Sequence, residues 1–142
     1  MDLYFSCSLT GGRLDQPAYA AMVAHLQALG HRVLTEHLAS ETVTASDGGL
    51  SPEAVFDRDT AWLRACSAVI AEVSTPSHGV GFEIAYALER GKPVLCLARD
   101  GVRVSKMVTG IRQSGFAFRS YADVHEALRH MEAFLASPDG PR

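Results

Sequence analysis

Two kinds of hydrophobic pattern alternate from one end of the chain to the other. Short, nearly continuous apolar runs at 3–7, 31–35, 68–73, 93–98 and 116–119 have the length and composition of strands buried on both faces. Between them, apolar residues recur at three- and four-residue spacing, the period of a helix with one buried face. Over 17–29 the recurring set is Tyr19, Met22, Val23, Leu26 and Leu29, and Gly30 stops the helix as a left-handed terminal residue would. Ser51 followed by Pro52 predicts a capped helix start, with the helix running to about Arg64. Further helices are predicted over 80–90 (closed by Gly91), 105–112 and 122–135. Residues 36–49 read as a long polar loop, and 137–142 as a frayed tail.

Five strands alternating with helices predict an α/β fold, a Rossmann- or flavodoxin-like three-layer sandwich around a five-stranded, mainly parallel sheet. No repeat or linker interrupts residues 1–136, which are expected to form one domain. In such sheets ligands bind beyond the carboxyl ends of the strands, near the point where strand order reverses. The loops after the first, third and fourth strands are therefore the places to look for chemistry.

Composition narrows the function classes. At 142 residues, 47% hydrophobic and 20% charged, the chain can bury a core without disulfide or metal support. A net charge of -3, with 13 Lys and Arg scattered along the sequence, argues against binding a nucleic-acid backbone but leaves room for a small charged ligand. Cys7, Cys66 and Cys96 are odd in number and lie in or beside apolar runs, so they read as small buried hydrophobes. His25, His31, His125 and His130 form no plausible metal set. With no basic-then-apolar leader and no apolar stretch of spanning length, a cytoplasmic protein with no membrane partner is expected.

Two segments carry candidate chemistry. Ser8-Leu9-Thr10-Gly11-Gly12-Arg13 follows the first strand, and its glycines let backbone N–H groups approach an anion closely. It is neither a Walker A loop nor a GxGxxG fingerprint, and suits either a phosphate or sugar contact or an ordinary strand-to-helix turn. The segment 74–83 places hydroxyls, Gly79 and Gly81 at a helix N-terminus, where unpaired amides and the helix dipole favour an anion. Glu83 falls in the first turn, either as a reactive group or as a complement to the dipole. His78 reads as a solvent-facing turn residue. Asp59 stands on a helix face otherwise defined by Val55, Phe56, Trp62, Leu63 and Cys66, so it must pair with something or face a cavity. Two carboxylates from neighbouring strand–helix units match glycoside cleavage, one as nucleophile and one as acid/base. Apolar surroundings would raise the pKa of one and keep it protonated for the leaving group. Tyr4, before the first loop, either orients a carboxylate or belongs to the core.

The stretches 4–13 and 33–37, the set Asp59, Trp62, Leu63, the segment 71–83, and Ser105-x-Met107-Val108-x-Gly110 together resemble the 2′-deoxynucleoside 5′-phosphate N-hydrolases, relatives of the nucleoside 2-deoxyribosyltransferases. The resemblance implies a homodimer that takes a small nucleotide; no cofactor is expected, because a carboxylate pair suffices for this chemistry. It assigns Glu83 as the nucleophile, Asp59 as the carboxylate that assists base departure and water attack, and Tyr4 as the residue that holds the glutamate. Cys7, Ser8, Leu9, Thr10, Gly11, Gly12, Arg13, Ser77, Gly79, Ser105 and Met107 fall on substrate-binding positions, with Ser105 reaching the neighbouring subunit's site. His37, at the end of the second predicted strand, is a candidate for a base contact. The family commonly has glycine where Cys7 stands, arginine where Thr10 stands and aspartate where Ser67 stands. Without that arginine, Arg13 or Lys106 remains to meet a phosphate.

The leading expectation is hydrolysis of the N-glycosidic bond of a (deoxy)nucleoside 5′-monophosphate to free base and (deoxy)ribose 5-phosphate, through a glycosyl-glutamate. Base exchange by a deoxyribosyltransferase needs the same two carboxylates and is the nearest alternative. A nucleotide sensor without turnover is the other, suggested by Cys7 and Thr10 and opposed by retention of both carboxylates.

Overall fold

The computed structural model describes residues 1–8, 15–36 and 49–137. Strands β1 (Asp2–Ser6), β2 (Arg32–Val33), β3 (Ala68–Glu72), β4 (Val94–Arg99) and β5 (Phe116–Tyr121) pair in the order β2-β1-β3-β4-β5, each pairing parallel. Helices α1 (Gln16–Ala28), α2 (Pro52–Ala65), α3 (His78–Leu88), α4 (Lys106–Thr109) and α5 (Val124–Ala136) connect them. The order is the flavodoxin-like one, and it reverses between β1 and β3.

Alternation along the strands divides the interior into two layers. Leu3, Phe5, Ile70, Leu95 and Leu97 pack against Met22 and Leu26 of α1 and Met131 of α5. Tyr4, Val69, Ala71, Val94 and Cys96 pack against Leu63 of α2 and Val80, Ile84 and Ala87 of α3. Burial on both faces is why β3 and β4 read as unbroken apolar runs. It also directs the even-numbered residues of β1 towards α2 and α3, the helices that carry Asp59 and Glu83.

Three elements differ from expectation for identifiable reasons. β2 is two residues long, because the Thr35 hydroxyl takes over the backbone's role: it accepts from the Phe5 amide at 2.9 Å and donates to the Phe5 carbonyl at 2.7 Å. α3 starts at His78 rather than 80, because Ser77 Oγ caps it by accepting the Val80 amide at 3.4 Å. α4 has four residues, not eight. Val108 and Thr109 are stiff in a helix and Gly110 is a poor former, and the Arg112 guanidinium donates to the carbonyls of Thr109 (3.2 Å) and Ile111 (3.0 Å) where the helix ends.

Phe56 also departs from expectation. It lies 53% exposed rather than on the core face of α2, and its ring meets Phe82 of α3 at 5.9 Å between centroids. Phe82 in turn meets Tyr86 at 5.5 Å, so the α2–α3 seam is closed at the surface by aromatic rings.

Candidate active site

Glu83 sits in the second turn of α3, over the carboxyl end of β1, and both of its oxygens are held from that strand. The Tyr4 hydroxyl donates to Oε1 at 2.7 Å, and the Ser6 hydroxyl donates to Oε2. Tyr4 and Ser6 are themselves fully buried. Burial pushes the Glu83 carboxyl above its ordinary pKa; the Ser6 and Tyr4 hydrogen bonds oppose that shift, and the charge of Asp59 adds to it. The Tyr4 hydroxyl is raised far above the phenol range by burial first, then by the charges of Glu83 and Asp59. It therefore remains a donor throughout the working pH range.

Asp59, on α2, lies near enough for its charge to act on both Glu83 and Tyr4. It is 19% exposed at the side chain, and the Arg58 Nε donates to its Oδ1 at 2.8 Å. The Arg58 guanidinium lies over the Trp62 ring, 4.9 Å from its centroid. The carboxylate on the apolar face has thus found its partner in its own chain neighbour. Burial raises the pKa of Glu83, which is expected as the nucleophile and not as the proton donor to the leaving group.

The other expected contacts are not all gathered at this pair. Ser8 and Cys7 are buried at the end of β1, and Cys7 packs into the layer beneath α1 and α5. Burial, then the charges of Glu83 and Glu72, push the Cys7 thiol up to about 12. Ser77 and Gly79 form the start of α3. Glycine at 79 and 81 is not demanded by the chain itself: an added Cβ would meet only Ser77 Oγ at 3.8 Å in the first case and nothing within 4 Å in the second. The start of α3 is therefore left bare towards the outside. Ser105 Oγ caps α4 through the Met107 amide at 3.2 Å, and Met107 is 84% exposed. Ser77, Gly81, Ile84, Ser105 and Met107 line a mainly apolar groove of about 580 Å³ on the side of α3 away from Glu83. Leu9, Thr10, Gly11, Gly12, Arg13 and His37 lie outside the described residues.

Two buried polar groups at the same sheet edge escaped the sequence reading. Glu72, fully buried at the end of β3, accepts from the Ser74 amide at 3.2 Å, the Ser74 hydroxyl and the Tyr121 hydroxyl at 2.9 Å. Burial raises its pKa against those hydrogen bonds. Asp15, leading into α1, accepts from Thr75 Oγ1 at 2.9 Å and pairs with Arg99 Nε at 3.0 Å. Together they tie the ends of β3, β4 and β5 to the start of α1. Ser6 was also missed, although its place two residues after Tyr4 puts it on the same strand face. Among the described residues no group of three or more His, Cys, Asp or Glu side chains could hold a metal ion, and no helix is long and apolar enough to cross a membrane.

A flavodoxin-ordered α/β domain with a carboxylate pair at the carboxyl edge of its sheet has the frame of enzymes that act on glycosidic bonds. The model of the nucleoside 2-deoxyribosyltransferase family matches residues 3–131. This chain belongs to that family. It is 40% identical to the 5-hydroxymethyl-dUMP N-hydrolase of Mus musculus over 141 positions, covering 94% of this chain and 81% of the mouse protein. It is 41% identical to the enzyme of the same name from Tetraodon nigroviridis over 147 aligned positions, covering 96% and 99%. The solved structure of the Clostridium botulinum CMP N-glycosidase BcmB superposes with a TM-score of 0.73 over 95% of this chain and 100% of that one; at 18% identity the likeness is one of fold.

Proposed function

We propose that this chain is a nucleotide N-glycosidase that hydrolyses a (deoxy)nucleoside 5′-monophosphate to free base and (deoxy)ribose 5-phosphate. The observation that carries the reading is Glu83, a part-buried carboxylate gripped by Tyr4 and Ser6 and close enough to Asp59 to feel its charge. One Glu83 oxygen attacks C1′; the C1′–N bond breaks with its electron pair going to the base, which receives a proton from Asp59. Water then attacks C1′ and returns a proton to Asp59, and the sugar–carboxylate bond breaks with its pair returning to Glu83. Dividing one displacement into two is what a carboxylate nucleophile offers.

The bare, hydroxyl-flanked start of α3 suits a phosphate, since amides at a helix N-terminus bind anions without a basic protein. Ser8 and the segment 9–13 complete the binding side of this reading, with His37 at the base. A homodimer fits the apolar groove beside α3 and the exposed Met107, and it would carry Ser105 towards the partner's site. Three free, buried cysteines suit a reducing, cytoplasmic setting. Residues 1–136 act as one domain in this reading.

The test is chromatographic detection of free base from a panel of deoxy- and ribonucleoside monophosphates and their nucleosides. 5-Hydroxymethyl-dUMP belongs in the panel because relatives are named for it. Base released by the wild type and lost in Glu83→Ala supports the hydrolase. If an added free base is built into a new nucleotide, the family's exchange reaction is the activity. No release under either condition leaves a nucleotide-binding protein without turnover.

A further inference from the structure

We infer that Ser6 is a positioning residue that holds the second oxygen of the Glu83 carboxylate and thereby shapes the acid side of the enzyme's pH dependence; this rests on the reading of Glu83 as nucleophile. Ser6 is fully buried at the end of β1, and its hydroxyl donates to Glu83 Oε2 while Tyr4 holds Oε1. The two donors come from one strand, two residues apart, so a single backbone segment fixes the carboxylate from both sides. Among the described residues, these two hydroxyls are the hydrogen-bond donors that oppose the effect of burial on Glu83, and Asp59 works against them.

The division of labour follows from chemistry. Tyr4 lies in the field of both carboxylates, and its hydroxyl holds its proton tightly. Ser6 donates to the other oxygen. A neutral donor on a carboxylate stabilises the charged form twice in the cycle: in the free enzyme before attack, and again when the sugar–carboxylate bond breaks and the charge returns to Glu83. Deleting the Ser6 hydroxyl leaves burial and Asp59 less opposed, so Glu83 takes up a proton at higher pH and becomes a poorer leaving group.

Two measurements on Ser6→Ala and Ser6→Cys test this. The first, which needs no turnover, follows the Glu83 carboxyl carbon by NMR in protein carrying carbon-13-labelled glutamate, assigned with Glu83→Gln. The midpoint is expected to rise in Ser6→Ala by about one pH unit, with Ser6→Cys between it and wild type because a thiol is a weak donor. The second is the pH profile of kcat/KM for base release. Ser6→Ala should lose about tenfold to a hundredfold at acid pH and recover part of it as pH rises. An unmoved Glu83 midpoint in a folded Ser6→Ala protein overturns the inference, as does an equal loss at every pH, the signature of a merely structural role. A wild type that releases no base while the midpoint still rises in Ser6→Ala would sink the hydrolase reading and leave the Ser6–Glu83 coupling standing.

Discussion

Arg58 and Asp59 are consecutive on α2, yet their side chains meet head to head, Nε to Oδ1 at 2.8 Å, with the guanidinium laid over Trp62. Adjacent helix residues usually point apart, so this contact places a cation directly beside the second carboxylate of the site. Asp59→Asn keeps the shape and removes the proton carrier of the proposed reaction; base release is expected to fall by about 100-fold or more in kcat, with a smaller change in KM. Arg58→Gln leaves Asp59 without its cation and should destabilise the fold by about 1–3 kcal/mol in urea unfolding, since both groups are largely buried. An Arg58→Gln protein as stable as the wild type would mean that the pair contributes no net stability.

Glu83 illustrates a conflict between chemistry and stability. Its folded-state pKa is raised by burial, so the native protein binds this proton more tightly than the unfolded chain does. Ionising it therefore costs stability, fully so above the folded pKa. Glu83→Gln is expected to be inactive and to melt about 2–4 °C higher at pH 7. The gain should shrink as pH falls towards the ordinary carboxylate value of 4.5, where the unfolded glutamate also protonates. Differential scanning calorimetry at pH 7 and pH 4 checks both the sign and the direction of change.

All three thiols are buried, and burial lifts Cys7 and Cys96 to about 12 and Cys66 to about 11. The native protein should resist iodoacetamide at pH 8 and react at three sites per chain once unfolded in guanidinium. Rapid labelling of Cys7 in the native state would show that the end of β1 opens to solvent.

Tyr121→Phe removes one of the hydrogen bonds to Glu72 and leaves a buried carboxyl short of a donor. A loss of about 1–3 kcal/mol is expected in urea unfolding, with the m-value unchanged. A loss below about 0.5 kcal/mol would indicate that Ser74 alone satisfies Glu72.

Most of the architecture was legible in the chain because parallel strands buried on both faces leave long apolar runs and helices a single stripe. What escaped depended on partners distant in sequence. Ser6 lies on the same strand face as Tyr4, but its importance comes from Glu83, 77 residues away, crossing above it. Glu72 reads as the polar end of an apolar run until Tyr121 is seen to meet it. The length of β2 depended on a side chain, Thr35, imitating a ladder that pattern analysis assigns to the backbone. Arg58 could be placed beside Asp59 in sequence, but not turned towards it, because that is a matter of rotamer.

The bond from Tyr121 to Glu72 reaches from β5 to β3 across the width of β4. During synthesis, a ribosome that has released only the first three strands has exposed a glutamate whose partner lies 49 residues further along the chain. The floor beneath the sheet's carboxyl edge can be completed only when the last strand arrives. A nascent chain stalled before Tyr121 would thus carry every residue of the Tyr4–Ser6–Glu83 grip and still lack the support that sets the sheet's edge.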